Sequence, residues 1–252
     1  MSRSNPNADR IPNPAERFFE WKGGDGGHLQ YYDKDKKENI TVKTPFTFIV
    51  LDQLATIRGY NKPMKTGLYA NEVRDTRAER LVVKYFTGGK VAEGFYAEIK
   101  DEIKAAHGHF VSNVYVAFKD GKALKLGAIQ FQGCSLSPWF DFVKENRSEL
   151  YKQSVTINKG KLNDEGKIEF TPPVYSLKAV SPETDEAAKV LDAQLQEFLK
   201  GYFSRTVAEK TESPASETGG ASERIGGGRG AAAAAEPVEG DEPPVDDDDV
   251  PF

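Results

Sequence analysis

The chain has 252 residues, with 34 Lys and Arg against 39 Asp and Glu for a formal net charge of −5, and it holds a single cysteine. One thiol excludes an intrachain disulfide framework and suits a reducing cytoplasm. The most apolar stretch, Phe46 to Leu54, is interrupted by Thr47, Asp52 and Gln53, which excludes a membrane-spanning helix there. The overall charge hides an asymmetry: residues 206–252 carry twelve acidic and three basic residues, a net of −9, whereas the first 205 carry a net of +4.

Residues 1–14 are polar and proline-containing, with no apolar core of a signal peptide, so a flexible arm on a cytoplasmic protein is expected. From 15 to 205 the pattern predicts one β-rich domain. Strand candidates are His28–Tyr32, Ile40–Thr44, 46–60 as one bent strand or two, Arg80–Phe86, Phe110–Phe118 and Leu124–Gln132. Gly23 to Gly27 reads as a strand-joining turn, and Gly88-Gly89 and Asp120-Gly121 punctuate later runs. A further hairpin is expected between Val155–Ile157 and Ile168–Phe170.

Three helices follow from apolar spacing: 97–106 ended by Gly108, 137–151 after Ser137-Pro138, and 182–203 after Ser181-Pro182. The last carries Ala187, Val190, Leu191, Leu195, Phe198, Leu199 and Tyr202 as one stripe, which serves either to pack on the body or to form a homodimer interface. Strands, a helix, then two more strands is the order of an OB-fold. The expected class is therefore mainly β with a few helices: an OB-fold-like five-stranded β-barrel with an added hairpin and a C-terminal helix.

Residues 206–245 are rich in Gly, Ser, Glu, Pro and Ala and read as a disordered linker. Forty flexible residues reach on the order of 35 Å r.m.s.. The linker leads to Asp246-Asp247-Asp248-Asp249-Val250-Pro251-Phe252, four carboxylates followed by three apolar residues. An acidic run that only solvates has no use for such an ending. A docking peptide does: the aspartates steer, Pro251 limits the entropy lost on binding, and Phe252 fills a pocket.

A sequence-tolerant binder of single strands needs cations that track phosphates and rings on which bases stack. The body interleaves both. Trp21 and Lys22 come first, then Tyr31, Tyr32 and Lys34, and then the densest stretch, 58–80, with Arg58, Tyr60, Lys62, Lys65, Tyr69, Arg74, Arg77 and Arg80, followed by Lys84. Gly59, Pro63 and Gly67 make 58–80 read as a long basic loop between strands. Tyr69, Tyr85 and Phe86 serve equally well as core rings or as platforms. Trp139 lies on the apolar face of its helix and reads as core.

Enzymatic patterns are weak. The glycine-rich run at 23–27 lacks the Gly-Lys-Ser/Thr of a phosphate-binding loop. His107 and His109 have no third metal ligand nearby. Glu98-Ile99-Lys100 lies in a helical pattern rather than the strand of a nuclease site, and Cys134 has no activating partner. No cofactor, metal or catalytic residue is expected.

The tip Asp246–Phe252 resembles the acidic peptide that closes bacterial single-stranded DNA-binding proteins, an Asp run followed by Ile-Pro-Phe, with Val250 in the place of Ile. With the stretch from Phe46 to Tyr69, Asn71-Glu72-Val73 and Trp139, the whole resembles a phage-encoded single-stranded DNA-binding protein. The resemblance implies a body that coats single-stranded DNA in replication, recombination or repair, and a tip that docks replication and repair enzymes. The segment 135–205 departs from the shorter bacterial proteins, which puts their tetrameric assembly in doubt for this chain. A strand-annealing recombination protein and an RNA-binding or adaptor protein stay open beside it.

Overall fold

Alternating apolar positions carry the largest share of the described residues into strands. The computed structural model describes residues 11–164 and 168–211. In order along them lie β1 (Arg17–Lys22), β2 (His28–Asp33), β3 (Glu38–Val42), β4 (Phe46–Asn61), β5 (Thr66–Ala70), β6 (Leu81–Tyr85), β7 (Lys90–Gly94), α1 (Tyr96–Ala105), β8 (Gly108–Asp120), β9 (Ala123–Phe131), α2 (Leu136–Glu145), β10 (Ser154–Lys159), β11 (Pro173–Lys178) and α3 (Pro182–Thr211). The described residues are mainly β with three α-helices. No helix among the described residues is long and apolar enough to cross a membrane.

The strands form one mixed sheet in the order β3-β2-β1-β9-β8-β4-β5-β6-β7, with β10 joining the first half of β4 and β11 joining β10. This corrects the expected closed five-stranded barrel. Closure would need β9 to take a strand from the β5–β6 side. Instead β9 gives its second edge to β1, in parallel register from Arg17↔Gly127 to Glu20↔Gln130, and β6 pairs with β7. Among the described residues the path ends at β3 and β7, so the sheet is open.

Long β4 organises the rest. It pairs with β8 over most of its length, with β10 near its start and with β5 near its end. A register shift between Val50 and Asp52 marks a bulge. An extra residue there re-aims the strand: Val50 stays with the main core, while Asp52 lies opposite Tyr115 on the other face.

That main core holds Phe19, Trp21, Phe48, Val50, Ile57, Leu68, Val114, Phe118 and Phe131 from the sheet, closed by Ile99 and Ile103 of α1 and Trp139 of α2. Trp139 is fully buried and stacks on Phe131 at 4.5 Å between ring centroids. Trp21 is 1% exposed, and its indole Nε1 donates to the Thr171 carbonyl at 2.9 Å. Burying each such ring stabilises the fold by about 1.5–3 kcal/mol.

Among the described residues the opposite face is covered in part, by α3 and by Asn13 and Ala15 beside it. Ser181 opens this helix, its hydroxyl accepting from the Thr184 N–H at 3.3 Å, with Pro182 at the first helical position. Ala188, Leu195, Phe198 and Leu199 are buried against Ile49, Leu54, Tyr115, Ala117, Leu126 and Ala128, so the stripe packs on the sheet. Ala187 and Val190 fall outside the contact and are exposed. The helix runs to Thr211, past the expected linker start at 206.

The expected hairpin after Val155–Ile157 also differs. The antiparallel partner of β10 is β11, through Val155↔Leu177 and Ile157↔Tyr175, while Phe170 makes only an isolated bridge to Asn163. The Tyr175 ring packs against Trp139 at 5.3 Å and Phe142 at 5.3 Å and holds β11 on the main core, while Phe170 packs on the same core without pairing to β10.

Candidate nucleic-acid interface

Directly opposed residues of neighbouring strands share a face. Arg58 on β4 lies opposite His109 on β8 and Tyr69 on β5, and Tyr69 lies opposite Lys84 on β6. All four are exposed. At about 4.8 Å between strands, they form a row roughly 14 Å long across the part of the face that α3 leaves open.

The row carries an aromatic pair. Tyr69 and Phe86 stack with centroids 4.9 Å apart and planes 23° apart, yet remain 40% and 50% exposed. Phe86 sits where β6 turns into β7, its N–H donating to the Gly67 carbonyl at 2.9 Å. Gly67 seats the ring, since a Cβ there would stand 2.6 Å from Phe86 Cδ2. The turn closes through Gly88 and Gly89, at φ 94° and 92°, a region that favours glycine.

Beneath the row lies a polar floor. The Arg58 Nη1 donates to Gln130 Oε1 at 3.1 Å. Surrounding protein desolvates Arg58 and lowers its pKa, while Glu72, Tyr115 and Glu20 oppose this, and a guanidinium stays charged throughout. Glu72 accepts from Asn113 Nδ2 at 2.7 Å and from the Tyr115 hydroxyl at 2.9 Å. Burial raises the Glu72 pKa, against the lowering pull of the Tyr115 bond, the Arg58 charge and the Asn113 bond. Burial and the nearby Glu72 raise the Tyr115 pKa in turn.

The same network fixes α3. The Glu72 N–H donates to the Tyr202 hydroxyl at 2.7 Å, and Gln196 Nε2 donates to Asp52 at 3.1 Å. Asn113 Oδ1 and Gln130 Nε2, on directly opposed residues of β8 and β9, are buried with no hydrogen-bond partner among the described residues. A spare acceptor and a spare donor under the cation row give that floor unused hydrogen-bonding capacity.

The expected residues divide into three groups. Arg58, Tyr69 and Lys84 stand together in the row, with half-buried Tyr60 next along β4 on the same face. Lys62 and Lys65 are exposed in the β4–β5 turn at the same end of the sheet. Region 58–80 is thus not the long loop expected: 58–61 ends β4 and 66–70 is β5, leaving a short turn and the connection 71–80.

Along that connection Arg74 is committed to structure. It pairs with Asp52 at 2.7 Å, and its guanidinium lies over the Phe203 ring of α3 at 5.3 Å. Arg77 is exposed on the same connection. Arg80 lies over the Phe95 ring at 5.9 Å and donates to the Glu93 carbonyl at 3.5 Å.

The third group is distant. Trp21, in the main core, is removed from any stacking set. Tyr31 is half-buried, edge-on to Phe19 at 5.6 Å and beneath Arg17 at 4.7 Å. Lys22 pairs with Glu20 at 3.4 Å. Tyr32, 39% exposed, lies on the same side of the sheet as 36%-exposed Phe18, with exposed Lys34 at the β2–β3 turn. This second aromatic patch lies several strands from the first, toward the other end of the sheet.

His109 belongs to the face through its register with Arg58, which no local pattern reveals, while Phe86, weighed from the sequence as a core ring or a platform, stands there exposed. His107 and His109 join no group of three or more potential metal ligands among the described residues. The tip Asp246–Phe252 lies outside the described residues. Comparison with known protein families, curated proteins and solved structures returned no match.

Proposed function

We propose that this protein binds single-stranded DNA without sequence preference, as a coat in phage replication and recombination, and recruits partner enzymes through Asp246–Phe252. The observation that carries the reading is the exposed Tyr69–Phe86 stack set in line with Arg58 and Lys84. Buried rings serve a core, but two rings left half open beside cations suit unpaired bases and their phosphates. The open face also fits the rest of the chain: β4 to β9 keeps the OB-like order of strands, a helix and two strands, without the closed barrel. We read the protein as a binder and not an enzyme, since the sequence offers no nucleophile–base pair.

Titrating the full chain with oligo-dT, the matching duplex and oligo-rU at two salt concentrations tests this. Tight, salt-dependent binding to oligo-dT, with duplex much weaker, is the expected result. Equal or better binding to oligo-rU would favour an RNA-binding protein. Acceleration of complementary-strand pairing at substoichiometric protein would favour an annealing protein. Weak binding to all three would reject the platform and leave an adaptor acting through its tip.

A further inference from the structure

The β4–β5 turn presents apolar side chains where solubility gives no reason for them. Lys62, Pro63, Met64 and Lys65 are all exposed, and Met64 is 55% so. The turn is well fixed. Lys65 N–H donates to the Lys62 carbonyl at 3.2 Å, Pro63 occupies the position that favours proline in such a turn, and Lys65 closes it at φ 49°. Asn61 is buried and pins the apex: its Oδ1 accepts from the Met64 N–H at 3.0 Å. Its Nδ2 donates to the Tyr85 hydroxyl and the Ala106 carbonyl, each at 3.4 Å.

The apex is therefore a rigid apolar point between two cations. It also stands at the same end of the sheet as the Phe86 turn, because β4–β5 and β6–β7 are antiparallel pairs whose turns lie side by side. Pro and Met are among the side chains that proteins insert against base steps, and lysines on either side would hold the two backbones of a nucleic acid.

We propose that Pro63-Met64 is a wedge that abuts the terminal base pair where single-stranded DNA meets duplex. One strand then runs onto Tyr69, Phe86, Arg58 and Lys84, and Lys62 and Lys65 hold the phosphates at the junction. The preferred substrate is then a fork or tailed duplex, not a strand without a junction. This rests on the single-strand reading above.

The test titrates full-length wild type, Met64→Ser and Met64→Phe with oligo-dT and with a duplex bearing the same dT tail. A fluorescent adenine analogue in the terminal base pair reports unstacking. Wild type should bind the tailed duplex about fivefold more tightly than oligo-dT and brighten the analogue, as expected for burying one apolar side chain against a base step. Met64→Ser should keep oligo-dT affinity within about twofold and lose both junction effects, while Met64→Phe keeps them. Equal affinity for the two substrates with an unchanged analogue would overturn the wedge and leave the single-strand reading intact. No binding to oligo-dT at all would overturn both.

Discussion

Replacing Tyr69 and Phe86 by alanine, singly and together, bears most directly on the open face. A base stacked on an aromatic ring contributes about 1–3 kcal/mol, so each single variant should weaken oligo-dT binding by roughly five- to 150-fold. The rings stack on each other at 4.9 Å, so each supports its neighbour's position. The double variant should accordingly lose less than the product of the singles. Stability should fall as well: the ring contact contributes about 0.5–1.5 kcal/mol beyond area burial, and losing the buried half of each ring adds about 1 kcal/mol apiece, equivalent to a Tm shift of roughly 5–15 °C. Fluorescence anisotropy with oligo-dT at several salt concentrations, beside thermal melts, measures both quantities. The slope of log affinity against log salt should stay constant, because no cation is removed. A double variant that stays folded and keeps wild-type affinity would refute the stacking role.

Lys84→Ala should reduce that salt slope by about 0.7, the share of one phosphate contact on a single strand, whereas Arg74→Ala should leave it unchanged. Arg74→Ala should instead destabilise by about 1 kcal/mol after allowance for solvent screening of its pair with Asp52, read as a lower melting midpoint. Glu72→Gln should change the pH dependence of stability. The folded pKa of Glu72 lies above its unfolded value, so its contribution is fully present below the ordinary glutamate pKa. That contribution is lost as pH rises through the folded value. Melts of wild type should fall across that window, and those of Glu72→Gln should fall less; parallel curves would rule the linkage out. Deleting residues 240–252 should tighten oligo-dT binding most at low salt if the acidic tail competes for the cations, and equal affinities at low salt would reject that competition.

Alternation revealed most of the strands, and the spacing of Ile99 and Ile103 or of Leu195 and Leu199 revealed helices. Partner choice was not legible, because it depends on contacts distant in sequence. Nothing near Arg17 announces a parallel pairing with Gly127, and that pairing is what leaves the sheet open. Region 58–80 read as loop because glycine and proline dominate its signal. Two of those glycines serve close approach instead: a Cβ on Gly59 would lie 2.1 Å from the His107 carbonyl oxygen, and one on Gly67 would meet Phe86. Trp21 stood among polar neighbours that suggested a surface, yet Phe19 and Trp21 are two apart and share the inward side of β1. Arg58, Tyr69 and Lys84 were legible as a set but not as a line with His109, since that order comes from strand register.

The parallel pairing of β1 with β9 also has a temporal meaning. Strands β1, β2 and β3 are neighbours in sequence and can zip as a meander soon after they are made. The remaining edge of β1 must wait until the ribosome has delivered Gly127 to Gln130. Such long-range closure is slow compared with hairpin formation. For that interval the nascent chain shows an unpaired strand edge to its surroundings, the kind of edge through which partly folded chains associate with one another.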